Sequence, residues 1–238
     1  MKPDKNPASG TVVRQAFLRS VPVMAGYIVL GIGFGILLRD AGYGVLWALA
    51  MSVLIYAGSM QHVGVSLLAG GASVLTAALT TVMVNARHLF YSISMIDRYR
   101  DAGKYKPYLI FALTDETYSL LCGGDGPEGR DGDLYRFLVS AFDQCYWVTG
   151  SVLGNILGAA LPFSTAGVEF SMTALFVASF TQQWLDSRDH IPALSGLLGT
   201  LACLVVFGPD RFLIPAMLAI TLTLTLLRPR LSGKGAAR

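Results

Sequence analysis

Four clusters of polar side chains interrupt long apolar stretches of this chain. The first is Ala57-Gly58-Ser59-Met60-Gln61-His62 and the second is Asn85-x-Arg87-His88-x-x-Tyr91. The third is Thr114-Asp115-Glu116-x-Tyr118, and the fourth is Thr181-Gln182-Gln183. An ionisable group in an apolar interior is costly, so such groups pair, face water or serve transport. A carboxylate at Asp115 or Glu116 can meet a ligand ammonium or carry a proton, its affinity for that proton set by burial and neighbours. It can equally form a structural ion pair with Arg87, and both readings can hold together. Asp115 and Glu116 are adjacent, hence about 100° apart on a helix. Asp115 shares the more polar stripe with Tyr118, Ser119 and Cys122. Arg87 can instead snorkel to a membrane interface. His88 shares a face with Asn85 and Ser92, where it can gate, relay protons near neutral pH, or simply pack.

The elements that must hold these groups are apolar helices. Ala41 to Ala86 contains no Asp, Glu, Lys or Arg, and further charge-free runs lie at Ser20–Leu38, Gln144–Val168, Phe170–Leu185, Ile191–Pro209 and Phe212–Leu227. A bilayer core asks for about 20 apolar residues per helical span, whereas a helix in water needs a charged face. Only 14% of residues are charged, 53% are hydrophobic and the mean hydropathy is +0.55. The expected fold is an all-α polytopic membrane protein with about 6–8 hydrophobic segments. A lipid bilayer is its surrounding and no nucleic acid is an expected partner. Cys122, Cys145 and Cys203 are scattered apolar filler without metal-ligand spacing. No metal or cofactor is expected, and no residue is assigned as catalytic: Walker A, HExxH and GxSxG motifs are absent.

Charge sets an expected topology. Lys2, Lys5, Arg14 and Arg19 precede the first apolar run, Arg98, Arg100, Lys104 and Lys106 fill one loop, and Arg228, Arg230, Lys234 and Arg238 follow the last run. The positive-inside rule places all three segments, and so both termini, in the cytoplasm. Residues 123–133 carry only Arg130 among acidic side chains and are expected outside. That requires Val45–Leu68 to enter and return, bent near Ala57-Gly58-Ser59, and Tyr108–Cys122 to cross outward. Tyr27, Val29, Gly31 and Gly35 match Tyr146, Val148, Gly150 and Gly154 at one offset. Ser52, Leu54, Ala57, Gly58 and Gln61 likewise match Thr173, Leu175, Ala178, Ser179 and Gln182. The expectation is an inverted repeat with broken or re-entrant helices after spans 1 and 5. The organisation is then 1–19 cytoplasmic segment, 20–122 first repeat, 123–133 external loop, 134–227 second repeat and 228–238 basic tail. Gly31-x3-Gly35 and Gly150-x3-Gly154-x3-Gly158 read as close-packing seams. Asp143 and Glu169 are expected solvated near membrane edges. Trp147 is expected in a lipid-facing belt, with Trp47 and Trp184 as interfacial anchors or repeat packing.

Phe34-Gly35-x-Leu37 with Gly42, Ala57-Gly58-Ser59-x-Gln61, Asn85-x-Arg87-His88-x-x-Tyr91 and Thr114-Asp115-Glu116-x-Tyr118 resemble the motif series of the AzlC family, across roughly residues 15–228. The resemblance implies the large subunit of a bacterial branched-chain amino acid exporter in the cytoplasmic (inner) membrane, working with a small AzlD-like membrane subunit. His62 stands where the family pattern often has Phe, which leaves the substrate open. On this reading Gly58, Ser59, Gln61, His62, Asn85, Tyr118, Gln182 and Gln183 are the candidate substrate-binding residues. Asp115, Glu116, Arg87 and His88 are candidates for ion coupling or gating. A zwitterion needs donors for its carboxylate and acceptors for its ammonium, and a broken helix supplies both. Other readings are a channel or facilitator, a carrier of another small solute, an intramembrane enzyme, or a non-transporting assembly subunit.

Overall fold

The computed structural model describes residues 9–122, 126–127, 129–160, 170, 177, 180–181, 184–185, 190–209 and 212–235. Among these residues the regular structure is helical, and the chain divides into two compact units, residues 1–172 and 173–238. The charge-free run opening the first unit forms α1, Ser9–Asp40, whose 32 residues extend about 48 Å. Among the described residues it is the one helix long and apolar enough to cross a bilayer; Val45–Leu54, Val74–Asn85, Ile191–Phe207 and Leu218–Leu227 are shorter apolar helices. Gly42, at φ +89°, ends α1 by a turn that an L side chain resists, with the Tyr43 N–H donating to Leu38 O at 3.1 Å.

The next segment is a helical hairpin, α2 (Val45–Leu54) and α3 (Gly58–Ala69). Its break falls at residues 55–57, where Tyr56 takes φ +42° and buries its ring. It starts near the C-terminal end of α1, where Asn155 Nδ2 donates to both Gly35 O and Tyr43 O. It descends to Val53 O, which accepts from Gln144 Nε2 at 3.2 Å. Gly58 then packs on Trp147, and His62 lies beside Phe34, closer again to that same end. Ser73 caps α4 (Val74–Asn85) by accepting from the Thr76 N–H, and α5 (Arg87–Met95) follows after Ala86. Met95, Tyr99 and Ala102 finish in one apolar cluster with Val12 and Ala16, at the N-terminal end of α1.

A second hairpin departs from the sequence expectation. Instead of crossing, the segment expected to span 108–122 breaks between α6 (Lys106–Phe111) and α7 (Asp115–Cys122) and returns. Tyr105 and Tyr108 pack on Phe137, Thr114 reaches Tyr27 near the middle of α1, and the Leu121 and Cys122 carbonyls accept from Arg98. The local reason is a cap: Thr114 Oγ1 accepts from the Thr117 N–H, and Asp115 and Glu116 occupy the first turn, where the helix dipole favours acids. Gly126 and Pro127 consequently lie with Gln15, Leu18, Arg19 and Tyr135 around a cavity of about 500 Å³ at the N-terminal end of α1. Gly126 and Pro127 thus lie at the same end of α1 as Tyr99 and Ala102 of the basic loop, where the sequence leads to an expectation of opposite faces.

The long helix α8 (Gly129–Ala160) completes the unit and packs along α1. Phe17 meets Phe142, Tyr27 meets Trp147, and Gly31 and Gly35 meet Gly150, Ser151 and Gly154, so the two helices run parallel. A Cβ at Gly31 would sit 2.9 Å from Ser151 N, and one at Gly150 2.6 Å from Ile28 O. The glycine seams are thus the α1–α8 contact. Matched helices of an inverted repeat would run antiparallel; for this pair that expectation is also corrected. In the second unit, α9 (Ile191–Phe207) and α10 (Leu213–Gly235) pack with Gly199 against Ile220.

The first unit is inside-out compared with a domain in water. Its surface shows Val29, Leu46, Leu54, Val74, Leu75, Val82, Leu89 and Ile93, while Ser52, Gln61, Thr117, Ser140, Asp143, Ser151 and Asn155 are buried. Buried polar groups paired among themselves beneath an apolar surface are what a bilayer selects.

Candidate functional site

The two hairpins enter from opposite ends of α1 and their tips meet where the Tyr56 and Phe111 rings lie 6.3 Å apart. Gln144 of α8 ties them together, accepting from Tyr108 Oη at 2.7 Å while donating to Val53 O. Each hairpin starts a fresh helix at its tip, α3 at Gly58 and α7 at Asp115. No side chain caps the N-terminus of α3, which leaves backbone N–H groups of its first turn available to an acceptor.

Three of the four sequence clusters converge beside this junction. The Arg87 guanidinium donates to Ser59 Oγ at 2.5 Å and pairs with Asp115 Oδ2 at 2.7 Å. Arg87 and Asp115 side chains are 27% and 23% exposed, so the pair is partly accessible rather than sealed. Interface snorkelling of Arg87 is therefore set aside in favour of pairing. Around it, Tyr91 stacks on Tyr118 at 4.9 Å and His88 meets Tyr91 edge-on at 5.9 Å. His88 Nδ1 lies 3.2 Å from Asn85 O, and the buried Asn85 Oδ1 has no hydrogen-bond partner.

Glu116 points elsewhere, as adjacent helical positions must. Its Oε2 accepts from Tyr27 Oη at 2.7 Å, on the α1 side. Gln61 is fully buried and its amide is committed: Nε2 donates to Ser52 Oγ at 3.2 Å, and Oε1 accepts from Trp147 Nε1 at 2.9 Å. His62 Nδ1 lies 2.8 Å from Gly58 O, and its ring packs beside those of Phe34 and Trp147. Gln182, Gln183 and Glu169 lie outside the described residues.

Several residues here escaped the sequence reading. Asp143, expected to be solvated, is fully buried and accepts from Thr117 Oγ1 at 2.8 Å. Trp147, expected to face lipid, is 3% exposed and shapes Gly58 and Gln61. Both corrections have one cause: α8 is wrapped by the two hairpins, and a hydropathy pattern does not reveal which stripe of a long helix they cover. Tyr27, Thr114 and Thr117 complete the buried polar interior. The Thr114 cap followed by two acids was a readable sign of the α7 start.

The family profile described as "AzlC protein" matches residues 22–161. The chain is 43% identical over 215 residues to the "Branched-chain amino acid transport protein AzlC" of Bacillus subtilis (strain 168), covering 90% of this chain and 85% of that one. It is 40% identical over 222 residues to an "Uncharacterized membrane protein" of Haemophilus influenzae, covering 93% and 91%. It is also 30% identical to the "Inner membrane protein YgaZ" of Escherichia coli (strain K12), over 87% of each. No solved structure matches.

Proposed function

Because the chain belongs to the AzlC family, we propose that it is a secondary transporter of the inner membrane that exports branched-chain amino acids. The observation that carries the reading is the Ser59–Arg87–Asp115 cluster at the meeting tips of two broken helices. Broken helices in transporters present half-helix N-termini to anionic groups of the substrate. Here the N-terminal turn of α3 and Arg87 suit a carboxylate, while Asp115 and the unpartnered Asn85 Oδ1 suit an ammonium. In the empty carrier Arg87 and Asp115 neutralise one another. A zwitterion substitutes its own charges for theirs, so binding exchanges one set of ion pairs for another rather than burying net charge. Gln61 holds Trp147 against Gly58 and so shapes the site without touching substrate. Tyr118 and His88 form a wall with Tyr91.

The N-terminal end of α1 and the basic loop 97–106 face the cytoplasm, as does the basic tail, on the strength of their Lys and Arg. Apolar residues on α4, among them Val74, Leu75, Leu79 and Val82, offer a face to a small hydrophobic second subunit. The test is counterflow of labelled leucine in proteoliposomes containing the full chain, with and without that subunit. Accumulation against a trapped pool of unlabelled leucine is expected when both are present. Absence of exchange with leucine, isoleucine and valine alike would reject the reading.

A further inference from the structure

A buried chain of hydroxyls joins Glu116 to Asp143, and it has more contacts than hydrogens. Tyr27 Oη lies 2.7 Å from Glu116 Oε2 and 2.6 Å from Thr114 Oγ1. Thr114 Oγ1 is 3.1 Å from Thr117 Oγ1, which is 2.8 Å from Asp143 Oδ2. Four oxygen–oxygen contacts are therefore bridged by three hydroxyls, each with one hydrogen to give. If both carboxyls are ionised, one contact holds two oxygens at hydrogen-bond distance with nothing between them. Bulk water has little access to the chain, because Tyr27, Thr114, Thr117 and Asp143 are all buried and only the Glu116 end is half-buried. A single extra proton fills the fourth contact. Independently, Asp143 Oδ1 is buried with no hydrogen-bond partner, a state a neutral carboxyl tolerates far better than a carboxylate in a dry interior.

We infer that Glu116 and Asp143 share one proton through Tyr27, Thr114 and Thr117, and that this chain is the proton path of the carrier. The inference adds Asp143 to the machinery and rests on the transport reading for its use. With the proton on Glu116, each group donates to the next: Glu116 to Tyr27, Tyr27 to Thr114, Thr114 to Thr117, Thr117 to the Asp143 carboxylate. Transfer breaks each of these O–H bonds as the next oxygen along gains the hydrogen. Glu116 ends as a carboxylate, Asp143 as an acid, every hydroxyl is reversed, and the count of protons is unchanged. The ionisable groups facing Asp143 are Glu116, Tyr27, Tyr56 and Tyr108. Those facing Glu116 are Asp115, Arg87, Tyr27, Tyr56 and Tyr91. The two carboxyls consequently titrate as one coupled unit.

The proton count makes a test that does not depend on transport. Infrared spectra of the purified full chain in lipid should show a protonated-carboxyl C=O band at neutral pH. Glu116→Gln and Asp143→Asn should each abolish it, because the new amide N–H supplies the missing hydrogen and lets the remaining carboxyl ionise. A wild type without the band would overturn the inference, even if the variants failed to fold. So would a band that survives either substitution, since the proton would then belong to one residue. In proteoliposomes, Thr117→Val should cut leucine movement driven by a pH gradient at least tenfold; wild-type rates in that variant would remove the chain as a path. A band behaving as stated in a chain that exchanges no amino acid would instead sink the transport reading and leave the shared proton standing.

Discussion

Arg87 contacts Ser59 on one hairpin and Asp115 on the other, so a single guanidinium joins three motifs that are up to 56 residues apart in the chain. Arginine suits this place because its planar fork serves two acceptors at once and stays charged. Whether the pair holds the fold or the substrate can be decided by removing both charges. Arg87→Gln or Asp115→Asn alone strands a charge among apolar neighbours, and each should reduce transport at least about tenfold, equivalent to roughly 1.4 kcal/mol. The double variant buries no unpaired charge, so it should recover thermal stability towards wild type yet stay inactive, having nothing to offer a zwitterion. Transport restored along with stability would make the pair purely structural. The motif residues themselves were legible in the sequence because charge in an apolar run is conspicuous. Asp143 was not, because four charged residues of α8 precede it and made it look like the end of a solvated stretch.

Among the elements, the parallel contact of α1 with α8 frames the first unit, and glycine is what allows it. A Cβ at Gly150 would meet Ile28 O at 2.6 Å and Ile28 Cα at 3.0 Å, and backbone cannot swing aside as a side-chain tip can. Gly150→Ala should therefore destabilise the protein by about 1–3 kcal/mol, the usual cost of overpacking. Gly26→Ala on α1 meets nothing within 4 Å and should be neutral or stabilising by up to about 1 kcal/mol, as alanine is the better helix former. Thermal unfolding of the two variants in one detergent checks the contrast; equal effects would mean the seam is not close-packed in solution. The glycine seam was readable as matched spacing of small residues. Its relative direction was not, since a helix seam of glycines accepts parallel and antiparallel partners alike.

At the scale of the whole molecule, the return of the 106–122 hairpin puts the basic loop and Pro127 at one end of α1, with Ala72 following α3 at the other. In a background lacking Cys122, Cys145 and Cys203, cysteines at Lys104 and Pro127 should share one labelling pattern with an impermeant reagent. A cysteine at Ala72 should show the opposite pattern. With the cytoplasmic assignment of the basic loop, only position 72 labels in intact cells. Labelling at 127 but not at 104 would restore a crossing of the segment and reject the hairpin.

The sequence by itself determined that this is a helical membrane protein, where its ionisable residues interrupt the apolar runs, and to which family it belongs. Those properties are local: composition, spacing and motif order survive without knowing what packs on what. It also marked the break near Gly58, since small residues in a long apolar run have few other uses. Tertiary structure decided the rest. Two hairpins closing on α8 turned Asp143 and Trp147 inward, selected Arg87 rather than water as the partner of Asp115, and linked Glu116 to Asp143 through three hydroxyls. These depend on contacts between residues far apart in the chain, such as Tyr27 with Thr114 and Glu116 and Tyr27 with Trp147. No hydropathy window contains such pairs, and only the direction in which each helix returns brings them within hydrogen-bond reach.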